Sequence, residues 1–589
     1  MCGIFSILNN EETFSLKEIE NEFLKGKNRG PEFSKLQNVG IKLLFGFHRL
    51  AINGLDEISN QPIVDDTNNI FLICNGEIYN YKELYKVMGI TPRTNSDCEV
   101  IIHLYKKYGI EQTLNMLDGV FSFILYDANN NNNNNNKEHD LTSKIYVARD
   151  PFGVRPLYIL ESFEKEEFIG FASELKCLSK FHEKLGDQYS IKQFEPGTYS
   201  SYELSYKVLS KWTVTKNKKN VRYFIPSQSI YCNTKLNTYF DIDWVVFGIQ
   251  YYLVESVKKR CLTTERPIAC LLSGGLDSSL ITALVNEEHK KISNVPLETY
   301  SIGLKNSEDL KYAKIVADYL GTNHTEIIVS EEEMFNAIPE VIKTIESYDT
   351  TTVRASIGNY LLGKYIKENS EAKVIFNGDG SDELCGGYLY MHKCPDIIEF
   401  DKETKRLLKD IHLYDVLRSD KCISSHGLEP RTPFLDKSFV NYYLSIPLDI
   451  RCHILEKNCE KFLLRKSFSD EYYLNSEEKI LLPDAILWRT KEAFSDGVSN
   501  HGRSLYEIIQ ERVKPIAIEN KLLDKSYLNK HLPPNKDNYE QYYYRDIFES
   551  YYPNLENIIP YFWMPKYVNA TDASARTLDI YKEINNKNE

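Results

Sequence analysis

The chain has 589 residues, which is too long for one compact domain and predicts either several domains or two large ones. It is 42% hydrophobic and 26% charged, as soluble globular proteins are, and no stretch approaches the ~20 apolar residues of a membrane-spanning helix. Lys and Arg number 71 against 84 Asp and Glu, so the formal net charge is −13. This acidity argues against nucleic acid as a partner, because phosphate binding requires a basic surface.

The first residues lack the basic start, long apolar run and cleavage site of a secretory signal, so we expect a cytoplasmic protein. The 12 cysteines include no CxxC pair and no spacing suited to zinc, which indicates reduced and mostly buried thiols. Cys2 differs from the others because it directly follows the initiator methionine. Removal of Met1 would place its thiol beside its own α-amine, which has a pKa of about 7.7–8.0 and can act as a base. Cys2 is therefore a candidate nucleophile.

Residues 1–210 are predicted to be mostly β-sheet, because short apolar runs alternate there with Gly, Asn and Asp. The clearest predicted strands are 42–47, 70–74, 120–126 and 145–148. The eight asparagines at 129–136 cannot bury apolar surface, so they predict a disordered loop between two hairpin strands. Residues 211–240 are basic and irregular and predict a linker between two domains.

After residue 240 the pattern changes to strands that alternate with helices. The predicted strands are 268–272, 298–302, 324–329 and 373–376, and the predicted helices are 279–288, 309–320 and 331–346. This alternation predicts a parallel sheet with helices on its faces. Beyond residue 400 the chain is predicted to be mainly helical, with a polar tail at 566–589.

The sequence Ser-Gly-Gly-Leu-Asp-Ser-Ser at 273–279 lies between a predicted strand and a predicted helix. Its glycines let backbone N–H groups approach a phosphate closely, and the start of the helix adds a partial positive charge. No Gly-Lys-Ser/Thr follows, so this is not the nucleotide loop of kinases and GTPases. Asp277 within an anion-binding loop indicates that a cation accompanies the anion, and Mg²⁺ bridging carboxylate and phosphate explains this most simply.

A second acidic loop at 377–383 also follows a predicted strand. Ligands of open α/β sheets bind outside the carboxyl ends of the strands, so we expect the two loops to converge on one crevice. Asp382 is then the second candidate carboxylate for Mg²⁺.

The Ser-Gly-Gly-Leu-Asp-Ser-Ser loop resembles the pyrophosphate loop of ATP-pyrophosphatases. Four further segments, together with that loop, resemble glutamine-dependent asparagine synthetases: residues 348–356, 387–390, 427–436 and 491–497. The N-terminal Met-Cys-Gly-Ile-Phe is similar to the start of class II glutamine amidotransferases. The resemblance extends over residues 2–560.

The resemblance implies two domains: a glutaminase at 1–210, with an N-terminal-nucleophile αββα sandwich, and a synthetase at 241–565. The second is expected to be a doubly wound parallel α/β domain of the ATP-pyrophosphatase type with a helical C-terminal part. In the first, Cys2 is the expected nucleophile, and Asn75 and Gly76 form the oxyanion hole. Arg49, Asn75, Gly76, Glu77 and Asp97 are then expected to bind glutamine.

In the second domain the resemblance implies synthesis of asparagine from aspartate, ATP and ammonia from glutamine through β-aspartyl-AMP, with Mg²⁺ as cofactor. The expected ATP-binding residues are Leu272, Ser273, Gly274, Gly275, Leu276, Asp277, Ser278, Ser279, Gly378 and Lys491. The expected aspartate-binding residues are Thr351, Thr352, Arg354, Asp379 and Glu383, and the expected metal ligands are Asp277 and Asp382. Lys491 is expected to act in catalysis by stabilising charge on the phosphates.

The chain departs from the family pattern in two segments, and two alternative functions are considered. Relatives usually have Ser and Glu where this chain has Asn377 and Asp379, and Pro430 and Thr432 are also unusual, which makes catalytic efficiency an open question.

One alternative function is that of another amide-forming enzyme of the superfamily, such as a β-lactam synthetase-like one, but such enzymes typically lose the glutamine site. The other is an inactive, synthetase-shaped sensor, which would show erosion of Asp277, Asp382 or Lys491. The sequence leaves the oligomeric state open, a homodimer included.

Overall fold

The computed structural model describes residues 1–130, 142–163, 167–205, 210–226, 241–455, 457–491, 494–499, 503–535, 537–570, 572–574, 576, 578, 579 and 581. The expected disordered loop at 129–136 lies outside this range apart from its first two residues. Residues 227–240 of the expected linker and much of the tail at 566–589 also lie outside it. The chain divides into two compact units.

Unit 1 comprises Met1–Ile225, Ser424–Leu428 and Tyr552–Ile558. Its described strands are β1 Gly3–Leu8, β2 Phe33–Gly40, β3 Leu43–Arg49, β4 Ile63–Val64, β5 Ile70–Ile78, β6 Gly119–Asn130, β7 Thr142–Arg149, β8 Tyr158–Ser162, β9 Ile169–Ala172, β10 Tyr189–Gln193, β11 Thr198–Ser205, β12 Lys211–Val214 and β13 Val221–Arg222. Its described α-helices are α1 Leu16–Leu24, α2 Tyr81–Met88, α3 Val100–Met116 and α4 Ser179–Leu185.

The strands of unit 1 form two antiparallel sheets. The first has the order β10-β8-β9-β1-β3-β2, and the second has the order β12-β11-β7-β6-β5-β4, with β13 paired to β11. One apolar core contains residues from both sheets, among them Phe45 of β3 and Ile124 of β6. A second core joins the other face of β5–β7 to α2 and α3. The strands predicted at 42–47, 70–74, 120–126 and 145–148 are confirmed as β3, β5, β6 and β7.

Strand β1 positions the N-terminal cysteine of unit 1. It lies between β9 and β3, and all six of its residues are buried. Gly3, the first residue of β1, pairs with His48 of β3. Cys2 therefore lies at the end of a fully packed strand, where the chain has little freedom to move.

Unit 2 comprises Pro226–Ile423, Glu429–Tyr551 and Ile559–Glu589. Its described strands are β14 Ile268–Leu271, β15 Glu298–Leu304, β16 Asn323–Val329, β17 Val374–Phe376 and β18 Glu429–Arg431. Its described α-helices are α5 Ile242–Leu262, α6 Leu276–Ile292, α7 Glu308–Leu320, α8 Glu331–Ile345, α9 Thr350–Asn369, α10 Ser381–Cys385, α11 Ile397–Asp410, α12 Asp415–Ser424, α13 Lys437–Ser445, α14 Leu448–Arg451, α15 Phe462–Ser467, α16 Asp484–Leu487, α17 Phe494–Gly497, α18 Leu505–Glu519 and α19 Tyr539–Tyr551.

The five described strands of unit 2 form a parallel sheet of order β16-β15-β14-β17-β18. The chain runs outward from β14 through β15 to β16, and later adds β17 on the other side of β14. The strand order therefore reverses between β14 and β17, and ligands of open α/β sheets bind at such a point, outside the carboxyl ends of the strands. Both β14 and β17 are fully buried, as expected of central parallel strands covered on both faces.

The alternating pattern predicted after residue 240 is confirmed by strands β14–β17 and helices α6–α8. Helix α7 ends at Gly321 with a φ of +69°, in the left-handed conformation that glycine adopts readily at helix ends. The prediction did not include β18, whose three residues contain Pro430 and give no strand pattern. The described residues form a mixed α/β protein with two antiparallel sheets and one parallel sheet, and none of their helices is long and apolar enough to cross a membrane.

Candidate active sites

The first candidate site forms where Cys2 meets Asn75. The Cys2 backbone nitrogen donates a hydrogen bond to Asn75 Oδ1 at 3.2 Å, and the thiol lies 3.7 Å from the carbonyl oxygen of Leu50. Because the carbonyl oxygen of Asn75 faces Cys2, its amide Nδ2 stays available; that atom is buried and donates to no described residue. A buried donor of this kind, beside a thiol, suits the negative oxygen of a tetrahedral intermediate.

Two carboxylates near Asn75, those of Glu77 and Asp97, accept hydrogen bonds from neutral groups. Glu77 Oε2 accepts from Asn53 Nδ2 at 2.7 Å, and Asp97 Oδ2 accepts from the backbone N–H of Ile78, also at 2.7 Å. Both carboxylates are buried. A side chain at Gly76 would place its Cβ 2.5 Å from a carbonyl oxygen of β6, so the backbone of β5 approaches β6 too closely there for any other residue. The structure thus joins Glu77, Asp97 and Gly76 around the end of β5.

Arg49, at the end of β3, holds the following loop. Its Nη1 donates to the carbonyl oxygen of Asp56 and to Asn60 Oδ1, both at 2.8 Å, and its Nη2 donates to the carbonyl oxygens of Asn53 and Gly54. No described carboxylate forms an ion pair with Arg49. The buried guanidinium is therefore fixed by neutral acceptors, and its positive charge is left to attract the carboxylate of a ligand.

In unit 2, the loop from Leu272 to Gly275 joins β14 to α6. Ser278 Oγ accepts from the backbone N–H of Ser273 at 3.1 Å, which closes the loop into a compact turn. Gly274 has a φ of +71°, and a Cβ there would lie 2.4 Å from a backbone nitrogen of α7. Helix α6 begins after Gly275, and no side chain caps its first N–H groups, which leaves them available to an anion.

The expected convergence of the two loops of unit 2 is confirmed. A Cβ on Gly378, in the loop after β17, would lie 2.7 Å from the backbone carbon of Asp277. Two lysines connect the loops. Lys461 Nζ lies 2.6 Å from both Asp277 Oδ2 and Asp382 Oδ1, and Lys491 Nζ lies 2.6 Å from Asp382 Oδ2 and 3.9 Å from Asp277 Oδ2.

Burial disfavours the charged forms of Asp382 and Lys461, but their ion pairs shift both pKa values in the opposite direction. Burial alone would raise the pKa of Asp382, whereas the ammonium groups of Lys461 and Lys491 lower it below its ordinary value. Burial alone would lower the pKa of Lys461, and the two aspartates raise it. Asp382 and Lys461 are therefore both charged at neutral pH.

The two aspartates fit a magnesium ion that shares its ligands with a nucleotide. Asp277 Oδ1 is buried and accepts no hydrogen bond from a described residue. No group of three or more metal-binding side chains occurs among the described residues, whereas Mg²⁺ is commonly held by one or two carboxylates together with substrate phosphates and water. Asp277 and Asp382 would hold such an ion.

Next to these aspartates lies a cluster of acidic groups around Arg418. Arg418 Nη2 donates to Asp379 Oδ1 at 3.1 Å and to Asp415 Oδ1 at 2.9 Å. Tyr388 donates its hydroxyl proton to Glu383. Burial raises the pKa of Glu383 well above its ordinary value, and Asp415 and Asp382 raise it further. Burial also raises the pKa of Asp379, although Arg418 opposes this.

Helix α9 supplies the three remaining expected residues. Thr351 Oγ1 is buried and has no hydrogen-bond partner among the described residues. Thr352 donates to Asp349 Oδ2 from its hydroxyl at 2.7 Å and from its backbone N–H at 2.9 Å, and the Asp349 carboxylate thereby caps the helix. Arg354 Nε donates to Glu540 at 2.8 Å, and its Nη1 and Nη2 both donate to Asp572.

One cavity of unit 2 collects most of the residues expected from the sequence. The expected residues that line it are Leu272, Ser273, Gly275, Leu276, Asp277, Ser278, Thr351, Thr352, Arg354, Gly378, Asp379, Asp382, Glu383 and Lys491. Gly274 and Ser279 are not among its lining residues, and Ser279 is fully buried within α6.

Sequence reasoning missed four cations that line this cavity: Arg465, Arg489, Lys461 and Arg418. The last two form ion pairs with expected site residues. Lys461 precedes the short helix α15 with a φ of +57°, and Arg418 lies within α12. Neither stands in a glycine-rich or acidic motif, so the sequence gives no local signal for either. A buried lysine requires carboxylate partners, but its burial becomes visible only in the folded structure.

The two sites occupy one chain, and together they define a glutamine-using ligase. A family model described as a glutamine amidotransferase domain matches residues 1–204, and one described as asparagine synthase matches residues 248–404 and 395–549. The chain is 42% identical to "Asparagine synthetase [glutamine-hydrolyzing]" of Gallus gallus and 40% identical to the protein of that name of Homo sapiens. Each alignment covers 99% of both chains. The chain belongs to the asparagine synthetase family.

Proposed function

We propose that this protein makes asparagine from aspartate and ATP, with ammonia released from glutamine, and forms glutamate, AMP and pyrophosphate. The observation that carries the proposal is that one chain holds both a thiol beside a buried amide donor and a phosphate loop facing paired aspartates and lysines. The first arrangement suits amide hydrolysis, and the second suits attack on a nucleotide phosphate. The full-length similarity supports the combination.

In the glutamine site, the Cys2 thiol attacks the carboxamide carbon of glutamine, with the α-amine of a processed N-terminus as the base. Asn75 Nδ2 and the Gly76 N–H stabilise the tetrahedral oxyanion. Its collapse releases ammonia and leaves a γ-glutamyl thioester, which water hydrolyses to glutamate. Arg49 binds the α-carboxylate of glutamine, and Glu77 and Asp97 bind its α-ammonium.

In the synthetase site, residues 272–279 and Gly378 hold the triphosphate of ATP. Thr351, Thr352, Arg354, Asp379 and Glu383 line the proposed aspartate pocket. The β-carboxylate of aspartate attacks the α-phosphate and displaces pyrophosphate. Lys491 stabilises the charge that develops on the leaving group. Ammonia then attacks the carbonyl carbon of β-aspartyl-AMP, which gives asparagine and AMP.

Asp277 and Asp382 are the proposed ligands of Mg²⁺, which supplies charge neutralisation to the phosphates when bound. The ammonium groups of Lys461 and Lys491 pair with the two carboxylates. Both lysines are therefore close enough to the loop to contact phosphate oxygens when a nucleotide is present.

The proposed domain assignment follows from these sites. Residues 1–210 form the glutaminase domain, residues 211–240 the linker, residues 241–565 the synthetase domain and residues 566–589 the tail. The two antiparallel sheets with helices support an N-terminal-nucleophile αββα sandwich for the first domain. The strand order of the parallel sheet supports an ATP-pyrophosphatase-type fold for the second.

Product analysis tests the proposal directly. The protein is incubated with ATP, Mg²⁺, aspartate and glutamine, and nucleotides and amino acids are separated and quantified. We expect asparagine, AMP and pyrophosphate in equal amounts, with at least as much glutamate. Formation of ADP and phosphate would exclude adenylation, and absence of asparagine would overturn the proposed function.

A further inference from the structure

The guanidinium of Arg354, the expected aspartate-binding cation, is committed to a buried structural ion pair. All three of its nitrogens donate to the carboxylates of Glu540 and Asp572, and the three side chains are almost inaccessible to solvent. Its charge is thus balanced by two carboxylates before any ligand binds. Redirecting it to a substrate would leave buried carboxylates unpaired, at a high cost in free energy.

Four of the other cations that line the cavity also have partners within the protein. Lys461 and Lys491 bind the two aspartates proposed for magnesium. Arg465 donates from all three nitrogens to Glu460 and to the carbonyl oxygen of Leu487. The guanidinium of Arg489 lies over the ring of Tyr312 at 4.0 Å and donates to an aspartate of α7 at 3.3 Å.

Arg418 is the remaining lining cation, and one edge of its guanidinium is open. Its Nε and Nη2 donate to Asp415 and Asp379, whereas Nη1 donates to no described residue. The side chain is 12% exposed and lines the same cavity as Thr351, whose hydroxyl also lacks a partner among the described residues. Two N–H groups of Nη1 are therefore available to an acceptor in the cavity.

We propose that Arg418, rather than Arg354, binds the α-carboxylate of the substrate aspartate, while Asp379 binds its α-ammonium. An α-amino acid presents both charges on one carbon, and a surface that places opposite charges side by side complements it. Arg418 and Asp379 provide such a pair, 3.1 Å apart. The inference rests on the proposed function, because it assigns the substrate of that site.

The test uses two competitors that each lack one charge of aspartate. Succinate keeps both carboxylates but lacks the ammonium, and β-alanine keeps the ammonium and the reacting carboxylate but lacks the α-carboxylate. The KM for aspartate and the inhibition constants of both competitors are measured from pyrophosphate release with saturating ATP and ammonia. Wild-type, Arg418→Gln, Arg418→Lys and Arg354→Gln proteins are compared.

Loss of one charge-assisted contact should raise the KM for aspartate and the inhibition constant of succinate by about 10- to 100-fold in Arg418→Gln. The inhibition constant of β-alanine should stay within about threefold, since it has no α-carboxylate to lose. Arg418→Lys should restore part of the loss because it retains the charge. Arg354→Gln should lower stability, seen as a lower Tm, and affect all three ligands alike.

Two results would overturn the inference. One is an equal change for succinate and β-alanine in Arg418→Gln; the other is a carboxylate-selective change in Arg354→Gln instead. Should Arg418→Gln fail to fold, Arg418→Lys carries the same comparison, because it keeps an ion pair with Asp379. Failure of the proposed function is distinguishable, since the wild-type protein would then release no pyrophosphate with aspartate.

Discussion

The two active sites differ in the amount of charge that they gather. In unit 1, Cys2 and Asn75 meet through neutral groups, and the buried Glu77 and Asp97 accept hydrogen bonds from amides. In unit 2, each of two lysines lies within 4 Å of both Asp277 and Asp382, beside a second cluster around Arg418.

The difference corresponds to the chemistry of each site. Hydrolysis of an amide develops one negative charge on one oxygen, which two neutral donors can stabilise. Transfer of a nucleotide rearranges several negative charges, which requires fixed cations and a divalent metal. Single substitutions should therefore disable the two sites for different reasons: loss of the nucleophile in unit 1, and loss of a fixed charge in unit 2.

The largest effect is expected for Cys2→Ala. Removing the nucleophile should lower glutamine-dependent asparagine synthesis by about 10⁴-fold or more, whereas synthesis from added ammonium chloride should persist. Asparagine formation with each nitrogen source measures both. Cys459→Ala removes an exposed thiol of unit 2 and serves as the control, which should keep both activities. Loss of ammonia-dependent synthesis in Cys2→Ala alone would show that the two sites do not act separately.

Lys491→Ala tests the charged site in the same way. Removal of a cation from the leaving phosphates should lower asparagine synthesis by about 10²- to 10³-fold, whichever nitrogen source is used. Glutamine hydrolysis, measured as glutamate release, should continue. Lys479→Ala deletes an equivalent charge from a lysine whose side chain is 66% exposed, and should change neither rate. Equal losses in the two variants would mean that overall charge, and not the contact with Asp382, controls the reaction.

The sequence predicted the sites where a motif forced the backbone into a particular conformation. Gly274 in the loop after β14, and Gly378 after β17, occupy close approaches that only glycine permits, and both loops formed as expected. The alternation of strands and helices likewise predicted the parallel sheet. Local patterns of this kind are present in the chain before it folds.

Ion pairs between residues that lie far apart in the sequence could not be predicted in this way. Lys461 reaches Asp277 across 184 positions, and Arg354 reaches Asp572 across 218. Which carboxylate neutralises which cation depends on the packing of distant helices, and no spacing in the sequence encodes it. The family resemblance assigned Arg354 to the aspartate pocket, and Arg354 lines the cavity, but nothing in the sequence reveals that buried carboxylates already balance its charge.

Acidification should weaken unit 1 through His48. Its Nε2 lies 2.9 Å from the carbonyl oxygen of Phe23, its ring stacks on that phenyl ring, and burial lowers its pKa to about 4. Between pH 6.5 and 4 the unfolded chain binds a proton that the folded unit excludes, so the free energy of unfolding falls by about 3 kcal/mol. Urea unfolding at pH 7.5 and pH 4.5 measures this, and His48→Gln should reduce the fall. An unchanged fall in that variant would assign the acid sensitivity to other groups.

The smallest expected effects compare one helix start in each unit. Ser15 caps α1 and Ser330 caps α8, and each serine exchanges hydrogen bonds with a glutamate three residues later, Glu18 and Glu333. Replacing either serine by alanine should lower the free energy of unfolding by about 1 kcal/mol, because a backbone N–H loses its acceptor. Replacement by glycine, itself an acceptable cap, should cost only about a few tenths of a kcal/mol. Urea unfolding measures all four variants, and equal losses for alanine and glycine would show that the serines stabilise their helices by something other than this cap.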